Sequence, residues 1–273
     1  MTTILAITGD WHVNDTCALC PPQFIRERGS THTPDKFQRA IWRAWIDYWK
    51  VVAERKEALK APVVAVYNGD LGDMNKHSKV QLISQYRPDI ERAMVDVAQP
   101  ALEVADCNII IRGTEAHTGD CGELEEWFAD DIGAEISPDG HASWWVWRAE
   151  IEGVKIHITH HPPTASRLQN KRGQAVARMC ERLYAEYDLA GQTKPHLAFW
   201  SHIHWSAQGH EMGIEGWTVP PWKGLGAFGH RIGVTLPGPV GGLICIIDDG
   251  KWKVEQFLRN PPRYKEQIWK PSW

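Results

Sequence analysis

The sequence predicts an α/β fold with mixed sheets, on three observations. Five short apolar, β-branched runs recur along the chain, at 3–8, 62–67, 108–112, 154–159 and 196–200. Each is bounded by turn residues, the pattern of strands buried on both faces. Between them lie segments of helical periodicity at 34–60, 88–105, 122–131 and 171–190, and strands alternating with helices are the signature of α/β architecture. Two further stretches, ASWWVWRAEI (142–151) and GGLICIIDDGKWKVEQFL (241–258), read as antiparallel pairs, the second turning at Asp249-Gly250.

The first strand, TILAIT, begins almost at the first residue. The longest helix opens at TPDKF, with Thr33 as the expected N-cap and Pro34 at the first helical position. Trp42, Trp45 and Trp49 recur at helical spacing, which predicts a stripe facing the core. The chain has 273 residues, 43% of them hydrophobic, enough for a full core. No linker-like or low-complexity tract divides it, so one domain over 1–273 is expected. Its motif-bearing part spans about 5–205, strands in 206–260 complete the second sheet, and 261–273 form a tail.

A net charge of −4 predicts no global attraction to nucleic acid or membrane. No basic leader is visible and no window approaches about 18 apolar residues, so a soluble, cytoplasmic protein without membrane contact is expected. The six cysteines are irregularly spaced, which argues against a disulfide framework. Cys17 and Cys20 are half of a zinc-ribbon pattern with no second half, and read as reduced thiols in a loop.

The chemistry stands at the strand ends. Asp10 and His12 follow the first strand, Asp70 and Asp73 the second, Glu115 and His117 the third, His160 and His161 the fourth, and His202 and His204 the fifth. Ligands of open α/β sheets bind outside the carboxyl ends of the strands, so these clusters converge. Acids and imidazoles gathered with almost no lysine or arginine would repel or be desolvated, and cations remove both penalties. Mixed Asp/His ligation without thiolate suits Mn²⁺, Fe, Zn²⁺ or Ni²⁺, and Mn²⁺ is the expected ion, with the other three as alternatives. The donors are too many for one ion, and suit two ions bridged by a carboxylate.

The order Asp-x-His, Gly-Asp, Gly-x-x-x-His, His, His-x-His resembles the calcineurin-like metallophosphoesterases over roughly residues 5–205. The tryptophan-rich first helix and GTEAH resemble bacteriophage-encoded members in particular. The resemblance implies a four-layer α-β-β-α sandwich, a dinuclear centre and hydrolysis of phosphate esters. Carried over by position, Asp10, His12 and His204 bind the first ion and Asp70 bridges both. His202 and one histidine of THHPP bind the second; His160, two residues before Pro162, is the choice, with His161 a neighbour. The third motif departs from the pattern. The family has Gly-Asn-His, whereas this chain reads Gly113-Thr114-Glu115-Ala116-His117, without the amide ligand. The expectation is that Glu115 replaces it, with Asn75 and His77 in reserve; the alternative is a weakened second site.

The expected reaction is an in-line displacement by water ionised between the cations, with His117 protonating the leaving group. Arg167, Lys171 and Arg172 belong to a basic stretch after HHPP that would grip a phosphate backbone, favouring a phosphodiesterase or nuclease; a solvated helix face is the competing reading. The basic and aromatic tail reads equally as a single-strand binder or a packed terminus. A phosphomonoesterase, a protein phosphatase and a catalytically weak metal-binding interaction protein stay open. GLGAFG (224–229) lacks the strand and helix of a dinucleotide site, and no serine stands in a G-x-S-x-G turn. His32, His141, His157 and His210 read as structural. Asp73 reads equally as the partner that orients a ligand and as a loop acid.

Overall fold

The computed structural model describes residues 1–74, 81–163, 171–226 and 238–262. The elements run β1 (Thr3–Thr8), β2 (Phe24–Ile25), β3 (Thr31–His32), α1 (Lys36–Leu59), β4 (Val63–Asn68), α2 (Arg87–Leu102), β5 (Cys107–Ile111), α3 (Glu115–Thr118), α4 (Glu123–Asp131), β6 (Trp147–Ile151), β7 (Val154–Thr159), α5 (Arg172–Leu189), β8 (Leu197–Trp200), β9 (Ala207–Glu211), β10 (Ile214–Thr218), β11 (Val240–Asp248) and β12 (Lys251–Arg259). Two five-stranded sheets form, β12-β11-β1-β4-β5 and β6-β7-β8-β10-β9. Each is mixed: β1, β4 and β5 run parallel in the first and β7, β8 and β10 in the second, with antiparallel neighbours outside them.

Strand periodicity explains the layers, because successive side chains face opposite sides of a sheet. Leu5 and Ile7 of β1 join Ile109 and Ile111 of β5 against Ile156, Ile158, Leu197 and Phe199 of the other sheet. Ile4 and Ala6 point the other way, into a core shared with α1, α2 and α4. On the far side α5 covers Ala198, Trp200 and Ile214 through Val176, Met179, Cys180 and Leu183. The order is therefore helices, sheet, sheet, helix: a four-layer α-β-β-α sandwich.

The tryptophan stripe faces the core as its spacing predicts, with Trp45 and Trp49 buried and Trp42 packed at the edge. Trp45 Nε1 donates to the Val97 carbonyl of α2 at 2.9 Å, so the indole has a partner inside. The cap lies two residues beyond Thr33. Asp35 accepts from the Gln38 amide at 2.8 Å while the Gln38 side chain accepts from the Asp35 amide at 3.3 Å. That reciprocal box serves two free donors where Thr33 would serve one.

Two other expectations are corrected. Residues 142–151 are not a strand pair: only 147–151 is a strand, and its antiparallel partner is β7 across the turn Glu152-Gly153. Strands in 206–260 do not all join the second sheet: β9 and β10 do, whereas β11 and β12 join the first by pairing β11 with β1. The hairpin β9–β10 turns at Met212-Gly213, a pair without the usual Asn or Asp signal. The turn at Asp249-Gly250 stands where expected, both residues with positive φ. No helix among the described residues is long and apolar enough to cross a membrane, and all six cysteines are free thiols.

Candidate metal centre

The parallel core strands β1, β4 and β5 of one sheet, and β7 and β8 of the other, end on the same side, and their following turns are tied together. Asp10 N donates to the Gly69 carbonyl at 2.8 Å, His12 N to that of Asp70 at 2.9 Å, Met74 N to that of His117 at 2.8 Å and Ser201 N to that of His160 at 3.0 Å. Two glycines make this approach possible. A Cβ on Gly69, where φ is +72°, would run into the His160 ring, and one on Gly113 into the Asp70 backbone and carboxylate.

Among the described residues eleven non-glycines have positive φ, and five are the expected ligands Asp10, His12, Asp70, His202 and His204, with φ from 48° to 69°. Left-handed backbone costs an L-residue about 1 kcal/mol. That cost is concentrated where it aims side chains into one site.

The donors fall into two sets joined at Asp70. In the first, His12 Nε2 and His204 Nε2 face each other at 3.1 Å, and Asp10 Oδ1 lies 3.4 Å from His204 Nε2 and 3.9 Å from His12 Nε2. Asp10 Oδ2 accepts from the His202 amide at 3.0 Å, while Oδ1 is buried without a hydrogen-bond partner. In the second, His160, His161 and His202 gather with ring centroids 4.7–5.3 Å apart. Asp70 Oδ2 lies 3.3 Å from His160 Nε2 and 3.9 Å from both His12 Nε2 and His117 Nε2, so it faces both sets.

Electrostatics prepares these groups for a cation. Burial, and then the Lys223 charge, lower His12 to about 3, so it stands neutral as a ligand must. Burial opposes the charged form of Asp70, yet His160 beside it holds the carboxyl well below its usual range. Burial likewise opposes the His160 imidazolium, but Asp70 and Asp10 raise it to about 10. Desolvation and the His160 charge lower His161 to about 4. Without a cation the carboxylates thus hold a proton on His160. Its Nδ1 donates to the Asn68 carbonyl at 2.8 Å, which turns Nε2 toward Asp70. The orphaned Asp10 oxygen, the facing His12 and His204 nitrogens and this oriented ring fit a divalent-cation centre.

His117 stands on the short α3, its ring edge against His12. Nδ1 is hydrogen-bonded to Asp73 Oδ1, so Nε2 faces the site. Asp73 is the partner that orients a side chain: its other oxygen lies 3.3 Å from His12 Nδ1 and 3.2 Å from Lys223 Nζ. Lys223 also pairs with Asp15 at 2.8 Å, its side chain 12% exposed and its pKa raised by the two acids against the pull of burial.

Glu115 is not brought to the donors. It is exposed, at the first position of α3, and belongs to none of the donor groups among the described residues. Thr114 stands there instead, its amide donating to Asp70 Oδ1 at 2.6 Å and its hydroxyl turned toward the histidines. The signal was in the sequence: Thr114 occupies the position after Gly113 where the resembled motif carries its amide. Glu125 is the other missed residue. Wholly buried in α4, it accepts from Gly113 N at 2.5 Å and Leu71 N at 3.2 Å, tying two site turns together. Burial and Asp70 raise it to about 8. Asn75, His77 and Arg167 lie outside the described residues. Lys171 and Arg172 begin α5, where the Arg172 guanidinium lies 5.2 Å over the ring of Trp205, the residue after His204.

No family model and no curated protein matches the sequence. Solved structures do. Zinc-complexed Vps29 from Entamoeba histolytica is 12% identical at a TM-score of 0.43, covering 94% of this chain and 99% of that one. A predicted phosphoesterase from Streptococcus pneumoniae is 13% identical at 0.39, covering 97% and 95%. An archaeal phosphodiesterase is 12% identical at 0.39, covering 93% and 99%. At such distance neither activity nor metal passes from those proteins to this one. The donor groups have to carry both.

Proposed function

We propose that this chain is a metal-dependent phosphoesterase acting on phosphodiesters, with two divalent cations held at the strand ends. One observation carries the reading: Asp70 lies in one donor group with His12 and His117 and in another with Asp10 and His160, and His117 faces it with its other nitrogen fixed by Asp73. Asp10, His12 and His204 would hold the first cation, His160 and His202 the second, and Asp70 both. When bound, the cations supply Lewis-acid activation of water and of the phosphoryl oxygens.

The chain's own residues do the rest. Asp73 keeps the His117 proton on Nδ1, so protonated Nε2 can give its proton to a leaving alkoxide. Lys223 keeps Asp73 ionised for that task. His161 and His202 are exposed, so the second set opens to solvent where a phosphate must enter. Arg172, stacked over Trp205 beside His204, supports a diester whose neighbouring phosphate it could pair with.

The test is metal content by elemental analysis and hydrolysis of bis-p-nitrophenyl phosphate, for wild type and Asp70→Ala. Two ions per chain and diester cleavage are expected in wild type, with both ions depleted and cleavage reduced by roughly 10³-fold or more in the variant. Two ions with no turnover on any ester would favour a metal-binding interaction protein. Faster cleavage of p-nitrophenyl phosphate than of the diester would move the substrate class to monoesters.

A further inference from the structure

Neither Thr114 nor His161 holds a cation in the function just described, yet His161 belongs to the second donor set and Thr114 points into it. Thr114 Oγ1 lies 3.1 Å from His202 Nδ1, 3.2 Å from His161 Nε2, 3.3 Å from Asp70 Oδ2 and 3.5 Å from His160 Nε2. Cation–donor distances of about 2.0–2.2 Å set ligand atoms around one ion roughly 3.0–3.4 Å apart. Each of these four distances from Thr114 Oγ1 is close to one edge of such a shell, and His160, His161 and His202 form a donor group of their own. Hydrogen bonding alone does not account for all of them, since a hydroxyl can donate once and accept twice but has four neighbours here.

We propose that Thr114 and His161 are ligands of the second cation, which makes it a site of three imidazoles, one hydroxyl and the shared carboxylate, selective for Zn²⁺ over Mn²⁺. This rests on the dinuclear reading above and adds the identity of the second ion to it. The first set has two nitrogens and two carboxylates, Asp10, His12, Asp70 and His204. The second has three nitrogens, and imidazole favours zinc, nickel, copper and iron, whereas carboxylate favours manganese and magnesium. Because Thr114 is neutral where a glutamate would be charged, and Asp70 is shared, the second ion keeps most of its positive charge. Selectivity for zinc thus comes without a loss of Lewis acidity.

The experiment is calorimetric titration of metal-free protein with Zn²⁺ and, separately, Mn²⁺, followed by elemental analysis, for wild type, His161→Ala and Thr114→Val. His161 is exposed, so its truncation removes no core packing, and circular dichroism of the metal-free variants checks folding. In wild type two Zn²⁺ events are expected, one of them with a preference for Zn²⁺ over Mn²⁺ at least about tenfold larger than that of the other. His161→Ala should weaken that event by at least about tenfold and leave the other unchanged; Thr114→Val should act in the same direction. Two Zn²⁺ events unaltered in both variants would overturn this proposal and leave the dinuclear reading standing. A wild type that binds no ion would overturn both.

Discussion

The two halves of the centre are built differently. Asp10, His12 and Asp73 are buried, His204 and His117 beside them are partly so, and Lys223 supplies a fixed positive charge. Around His161 and His202 the donors are exposed and face one another across Thr114. The buried half is held by the fold itself and is strained and charge-balanced before any ion arrives. The open half has little but its ligands to order it. Damage to the first should appear as lost stability, and damage to the second as lost metal at unchanged stability.

Lys223→Met is the strongest way to break that contrast. It leaves Asp15 and Asp73 buried without their cation, and removing one partner of a buried ion pair costs about 3–5 kcal/mol. Urea denaturation of the metal-free variant should show this loss; an unchanged midpoint would mean that the buried half is not charge-balanced by Lys223. His117→Gln comes next. It removes the proton donor but no ligand, so cleavage should fall by about 10²-fold or more with metal content intact. Loss of an ion in that variant would place His117 among the ligands instead.

Strand β7 sharpens the comparison through pH. His157 is buried, is hydrogen-bonded to the Tyr187 hydroxyl at 3.0 Å, and is lowered to about 4 by burial and Arg148. His160, three residues on, is raised to about 10. For His157 the unfolded chain takes up the proton first, near pH 6.5, so its contribution is full above 6.5 and is lost as pH falls toward 4. That loss is on the order of 2–3 kcal/mol. In metal-free protein His160 has the opposite sign: its contribution is full below 6.5 and is lost as pH rises through 10. His157→Gln should flatten the stability profile between pH 4 and 6.5; an unchanged slope would show that the ring is already solvated. The smallest effect is far from both halves. Asp35→Ala removes the α1 cap and should lower stability by about 1 kcal/mol, read as a shift in urea midpoint, with metal content unchanged.

Much of this was legible in the chain. Apolar runs and helical stripes are local signals, and they placed β1, β4, β5, β7 and β8 and helices α1, α2, α4 and α5 to within a few residues. The carboxylates and imidazoles after those strands were legible too, because parallel strands must end on one side. Lys223 was not, since it lies 150 residues from Asp73 and nothing in PPWKG marks it as a buried ion-pair partner. Glu125 reads as one acid in the helical run ELEEWF, and only packing shows that its carboxylate is turned onto the Gly113 and Leu71 amides. Glu115 misled because charge and motif spacing favour it as a donor, whereas the backbone turns it outward and Thr114 inward.

By itself, then, the sequence determined the alternation of strands and helices, and which strand ends carry acids and histidines, since both follow from short-range periodicity and turn chemistry. The tertiary structure decided which sheet β11 and β12 join, which donors share Asp70, and that His161 and Thr114 meet there. Those depend on strand order, on left-handed backbone at five donor positions and on contacts between residues far apart in the chain, such as His12 and His204, 192 positions apart. No local pattern encodes distances of that kind.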